Sequence, residues 1–269
     1  FEATAAEKQI TLTHATGSFP EGEYYVAVAP VKFEGGFSIS FTKSDGKTGT
    51  KSTTKTNEVV RNGGLNVDDQ LSAMTWEYLI TTKEQLFEWN NNHASWTKND
   101  IVKLGADIDM EMDAWTPQDF AGVFDGQEHK LYNFSVSHEG YCGLFKSLKG
   151  TVKNLVIGSD NGEDYDGYSL VEYAHESTTS WSHVGSVAGF LGTGGKIENV
   201  KNFAKISIKD QNEPKCCFGG LVGSGDGINN EIINCENHGE IVHEAAAGQI
   251  TNASNHQCGG IMGKTDGKI

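Results

Sequence analysis

The side chains with most chemical potential crowd one segment. Between Gly158 and His183 the chain places Asp160, Glu163, Asp164 and Asp166 among Tyr165, Tyr168, Tyr173 and Trp181. A loop can converge its carboxylates on a hard cation such as Ca²⁺, which takes several oxygen ligands. These four acids are therefore the candidate calcium ligands, and no other cofactor is expected. Read as an EF-hand loop, the segment would begin on Gly162 and end on Tyr173, where that motif needs carboxylates. Aromatic faces beside carboxylates also suit sugar rings or a protein partner, so Tyr165, Tyr168, Tyr173 and Trp181 are candidate ligand contacts. The alternative is that these rings pack the loop back onto the body of the protein. The segment holds 26 residues, against 7 from Lys209 to Lys215 at the equivalent place one repeat later. Long loops on a rigid scaffold commonly carry function.

Two further clusters have weaker chemistry. Asp107, Asp109, Glu111 and Asp113 alternate, and in an extended strand they would share one side. A calcium site there is conceivable, but a solvated strand face is the favoured reading. Cys235, His238 and His243 are soft ligands at a spacing compatible with zinc, but Cys235 aligns with an inward position, which favours a buried thiol beside two surface imidazoles. Cys142 and Cys258 share one slot of a recurring glycine signature and read as small core residues. Five cysteines cannot all pair within one chain, so a disulfide scaffold is not expected.

Composition narrows the class. With 21 basic and 36 acidic residues the net charge is −15, which opposes binding to nucleic acid or an anionic membrane. Basic residues are lopsided, 20 Lys and the single Arg61, leaving little material for an arginine clamp. Thirty-three Gly, four Pro and 37% apolar residues describe a folded, glycine-punctuated chain without a transmembrane run. Phe1-Glu2-Ala3 does not resemble a natural start, and the last repeat breaks off at Ile269, so the chain is expected to be a fragment.

The elements that must position these groups follow from periodicity. Gln9–Thr13, Tyr24–Ala29 and Phe37–Thr42 alternate apolar with polar residues, predicting half-buried antiparallel strands, and Asp45-Gly46 predicts a hairpin turn before the Thr-rich run 48–56. Thr81 with Glu84 and Thr82 with Gln85 form overlapping capping boxes, predicting a short helix that ends near Asn90–Asn92. Trp76, Trp89, Trp96 and Trp115 flank it and are expected to pack a capped end, shielding strand edges.

Beyond the helix the chain repeats. Lys196–Ile206 lies over Glu231–Ile241 with every position shifted by 35, and Val152–Ile157 is a partial earlier copy. Each copy follows a glycine signature: Cys142-Gly143-Leu144-Phe145, Val184-Gly185-Ser186-Val187-Ala188-Gly189, Phe218-Gly219-Gly220-Leu221-Val222-Gly223 and Cys258-Gly259-Gly260-Ile261-Met262-Gly263. Such short units must stack to bury their apolar face, which predicts a parallel β-solenoid. Ile197 and Ile232 should sit inside it, with Asn199 over Asn234 and Asn202 over Asn237 as amide ladders. The glycines are expected at sharp corners requiring positive φ.

The run Val102–Asp109, then Trp115-Thr116-Pro117, Phe124–Leu131 and Gly143-Leu144-Phe145 resembles bacterial surface-protein β-helices with GLUG-type repeats over residues 77 to 269. Tyr25–Pro30, Phe33–Phe37 and Arg61-Asn62 look like the closing strands of a fimbrillin-like domain of Bacteroidales surface proteins, departing near Gly63–Val67. The resemblance implies an all-β protein: a partial antiparallel β-sandwich over 1–75, then a helix-capped right-handed parallel β-helix over 76–269. It further implies a lipid-anchored or secreted, adhesin-like protein at the cell surface or outer membrane, non-catalytic, whose partner is a glycan or host surface protein. Polysaccharide lyases and hydrolases share the wider fold, but the only Arg lies outside the repeats. The Asn-Thr-Asp, Gly-His-Gly and Arg-Ile-Lys signatures of polygalacturonases are missing, with His238-Gly239 only a faint echo. A polysaccharide-active enzyme with its catalytic residues in further coils, and a structural stalk, are the rival readings.

Overall fold

The computed structural model describes residues 24–43, 46–64, 74–137, 140–159, 170–175, 181–210, 215–245 and 256–265. The chain divides into two compact units, Phe1–Trp76 and Glu77–Ile269.

In the first unit Phe37–Thr42 pairs antiparallel with Thr48–Thr53. Phe37, Ile39 and Phe41 are half-buried while the residues between them are exposed, as period-two alternation requires. The exposed face carries hydroxyl pairs, Ser38 with Ser52 and Ser40 with Thr50, each at 2.7 Å. The hairpin closes through Lys43 N–H to the Lys47 carbonyl at 2.8 Å, with Gly46 at φ +83°. Val31–Phe33 pairs antiparallel with Asn57–Val59. The strand expected at Tyr24–Ala29 does not form, and Tyr25 is 84% exposed. Alternation supplies a face but not a neighbour, and no strand among the described residues pairs with this segment. The expected strand Gln9–Thr13 lies outside the described residues.

The second unit opens with the strand Glu77–Ile80 and the helix Lys83–Asn91. Of the two capping boxes, Thr82 supplies the N-cap, its side chain accepting from Gln85 N–H at 3.3 Å. The Gln85 amide oxygen reaches one residue past the N-cap, accepting from Thr81 N–H at 2.8 Å. The helix buries Leu86 and Trp89 in the main core, where Trp89 stacks on Trp96 at 4.2 Å. Trp115 is also buried and donates its indole N–H to the Leu144 carbonyl at 2.8 Å.

From Ile101 onward, strands pair in parallel with their counterparts in the next repeat. One ladder joins Ile101–Leu104, Val123–Asp125, Thr151–Ile157, Lys196–Asn202 and the pair Glu231–Ile233 and Glu236–Asn237. A second joins Ser135–Ser137, Leu170–His175, Lys205–Asp210 and Ile241–Ala245. A third joins Tyr141–Cys142, Trp181–Val184, Lys215–Gly219 and His256–Gly259. The fourth joins Gln118–Phe120, Phe145–Leu148, Ala188–Leu191, Val222–Gly225 and Met262–Thr265. Val152, Ile197 and Ile232 fall in register, with Val152 and Ile197 fully buried.

Two expectations are corrected here. The segment from Gly158 to His183 is not a structureless loop, because Leu170–His175 and Trp181–Val184 are strands of the second and third ladders. Their backbone groups are satisfied by neighbouring repeats. Nor do the signature glycines turn corners. The corners of the first ladder use asparagine: Asn154, Asn199 and Asn234 sit at φ 50°, 53° and 51°, a region Asn tolerates best after Gly. Asn199 donates to the Asn154 side chain at 3.1 Å and Asn202 to the Asn237 side chain at 2.8 Å.

The signature glycines instead allow close approach. A Cβ on Gly189 would lie 2.6 Å from Cys142 N, on Gly223 2.4 Å from Val184 N, and on Gly263 2.6 Å from Phe218 N. Gly189, Gly223 and Gly263 thus each pack their missing side chain against backbone of a third-ladder strand one repeat earlier.

Candidate functional site

The third ladder has two faces. Cys142, Val184 and Phe218 are in register and belong to the core. Residues one position earlier, Tyr141, His183, Cys217 and Gln257, are also in register and occupy the opposite face. Tyr141 stacks on His183 at 4.6 Å between centroids and 14° between planes. Trp181, two residues before His183, lies nearly parallel to it at 6.3 Å, with Lys264 Nζ 5.4 Å from the indole. Phe190 of the fourth ladder meets Tyr141 edge-on at 5.6 Å, and its register partner Ser224 bonds His183 Nδ1 at 2.6 Å. Tyr141, Trp181, His183 and Phe190 are all half-buried, so the cluster is fixed from below and reachable from outside.

Burial pushes the His183 imidazole down to about 4, with the Lys264 ammonium adding in the same direction. The ring is neutral at physiological pH. Unfolded, a histidine titrates near about 6.5. As pH falls from about 6.5 to about 4 the unfolded chain takes up a proton that the folded chain refuses, so stability is full above that window and lost on descending through it. The expected loss is about 2 kcal/mol, allowing for partial solvent screening. Urea midpoints at pH 7.5 and 4.5 check this: His183→Gln, which keeps a partner for Ser224, should show a smaller drop than the parent protein.

Of the residues expected to bind ligand, Trp181 is in this cluster. Tyr173 lies on the strand Leu170–His175, in register with Ile208 of the second ladder. Tyr165, Tyr168 and the calcium candidates Asp160, Glu163, Asp164 and Asp166 lie outside the described residues. Tyr141, His183 and Phe190, which complete the cluster, were not expected. The signal for Tyr141 and His183 was the slot just before the core residue of each glycine signature, whereas Phe190 follows the last glycine of its own signature.

The other acidic run does not converge on one side. Only Ile108–Asp109 is strand, and Glu111 and Met112 at φ 51° and 60° turn the chain. Asp107 accepts from Lys130 N–H at 3.1 Å and bonds His129 Nδ1 at 2.9 Å, while Asp109 accepts from Asn133 Nδ2 at 2.6 Å. Glu111 and Asp113 both pair with Lys83.

Cys235 and His238 do not join His243. Cys235 Sγ donates to the Ile233 carbonyl at 3.2 Å, and burial raises its thiol pKa. His238 bonds Glu236 at 2.7 Å and stacks on Phe203 at 4.8 Å. Cys142 is a buried core residue as expected, whereas Cys258 is exposed, on the last strand of the third ladder among the described residues. His243 instead meets Cys216 and His256, the ligand atoms of all three lying within 4.8 Å of one another.

No family model matches the chain, and no curated protein matches it. A solved structure from Bacteroides ovatus, described as a putative immunoglobulin A1 protease, is similar at 22% identity with a TM-score of 0.45. The similarity covers 71% of this chain and 62% of that protein, so the chain spans less than two thirds of its length. No helix among the described residues is long and apolar enough to cross a membrane.

Proposed function

We propose that this protein is a non-catalytic binding protein of the cell surface, in which a parallel β-helix presents the Tyr141–Trp181–His183–Phe190 cluster to a neutral glycan. The observation that carries this reading is the cluster itself: four half-buried rings in contact across two parallel ladders, edged by the Lys264 ammonium. Aromatic rings held rigidly offer sugar C–H groups a face at little entropic cost, and Tyr O–H, indole N–H and ammonium supply directional bonds. A net charge of −15 disfavours acidic polysaccharides.

Four parallel ladders visited in the same order by successive repeats support the β-helix, with the helix Lys83–Asn91 packed into its core as a cap. The antiparallel pairs of residues 1–76 are consistent with the end of a fimbrillin-like sandwich. A lipid-anchored or secreted location belongs to the same proposal.

Calorimetric titration with neutral oligosaccharides tests the site. Trp181→Ala with Tyr141→Ala should weaken binding at least about 30-fold, as loss of aromatic anchors worth about 2 kcal/mol does. Affinity equal to the parent's would remove this face, and binding only to a host protein would replace the glycan with a protein partner.

A further inference from the structure

Cys216, His243 and His256 come from three strands, Lys215–Gly219 and His256–Gly259 of the third ladder and Ile241–Ala245 of the second. Their placement follows from register. Cys216 pairs with His256, so both side chains occupy the same face of adjacent strands, and Cys216 belongs to the main core. His243 pairs with Ile208, itself fully buried, and so continues an inward column of the second ladder. Cys216 Sγ and His256 Nδ1 are 3.0 Å apart, and the two imidazoles stack at 4.9 Å between centroids. One sulfur and two nitrogens thus converge within 4.8 Å.

We propose that these three residues form a zinc site that fastens the second ladder to the third. One thiolate and two imidazoles are a donor set that borderline-soft ions prefer over Ca²⁺ or Mg²⁺. With Zn–S of about 2.3 Å and Zn–N of about 2.0–2.1 Å, tetrahedral ligand atoms stand about 3.3–3.6 Å apart. Reaching that geometry from ligand atoms already within 4.8 Å of one another requires shifts of about 1 Å.

A second observation points the same way. Ser182 is the register partner of Cys216 on the preceding strand, is fully buried, and its hydroxyl has no hydrogen-bond partner among the described residues. A buried, unsatisfied hydroxyl is costly. It is placed to donate to a metal-bound thiolate, or to a water in the fourth position, as outer-shell groups of metal sites do. Binding would transfer the Cys216 thiol proton to solvent, so affinity should fall as pH is lowered.

The 269-residue protein, stripped with chelator and then given zinc, provides the test. We expect one equivalent bound, a raised melting temperature, and an X-ray absorption spectrum with one sulfur and two imidazole nitrogens in the first shell. His256→Ala and Cys216→Ala should each lose at least about 100-fold in affinity, whereas Cys217→Ala, on the opposite face, should retain it. No zinc uptake, a first shell without sulfur, or undiminished affinity in both ligand variants would overturn the proposal. The spectrum of the unaltered protein decides the matter even if a core substitution fails to fold.

Discussion

Trp89→Ala should be the most destabilising single truncation in the helix-capped unit, lowering its stability by about 3–5 kcal/mol. Trp89 is 2% exposed and lies within 6.4 Å, centroid to centroid, of four other rings: Trp96, Phe120, Phe124 and Phe145. Those rings come from the segment after the helix and from the first and fourth ladders, so no single neighbour can collapse into the space left behind. A cavity edged by several rigid groups keeps its cost, because the surroundings relax only in part. For a unit of this size the melting transition should fall by about 10 °C. Trp89→Phe should recover part of the loss. A calorimetric transition displaced by less than about 3 °C would mean that the helix is not packed as described.

Gly223→Ala should cost about 3 kcal/mol or more, although it adds one methyl group. The new Cβ would stand 2.4 Å from Val184 N, 2.6 Å from His183 C and 2.7 Å from the Gly189 carbonyl oxygen. All three are backbone atoms, so no side-chain rotation relieves the contact, and the fourth ladder must move off the third. Ser224 is the next residue, and the same displacement breaks its bond to His183, so under the proposed function glycan affinity should fall together with stability. Gly260 is the control. A Cβ there meets nothing within 4 Å, so Gly260→Ala should stay within about 0.5 kcal/mol of the parent. Equal urea midpoints for the two alanine variants would contradict the close-approach role of the signature glycines.

The repeat was legible in the sequence because its register is written in side chains. Ile197 over Ile232 and Asn202 over Asn237 follow from one constant shift, and the pairing obeys it. The helix was legible because Thr82 and Gln85 are local signals with local consequences. The glycine role was misjudged because composition cannot separate a residue chosen for positive φ from one chosen for lacking Cβ. Gly189 and Gly223 are the second kind, and Asn154, Asn199 and Asn234 took the corners.

The sites were harder to read because they are assembled across repeats of unequal length. Tyr141, His183, Cys217 and Gln257 share a column, yet successive members are 42, 34 and 40 residues apart. A search at one fixed period misses them. Sequence proximity suggested grouping Cys235 and His238 with His243. The ladders instead bring up Cys216, 27 residues earlier, and His256, 13 residues later.

The most direct test of the binding reading is to incubate the protein with a panel of neutral host and dietary polysaccharides, scoring both retention on the protein and the appearance of new chain ends. Retention of at least one polysaccharide without new ends, lost on Trp181→Ala with Tyr141→Ala, is the predicted result. New chain ends would contradict it by showing an enzyme, and retention undiminished in the double variant would show that the aromatic cluster is not the binding face.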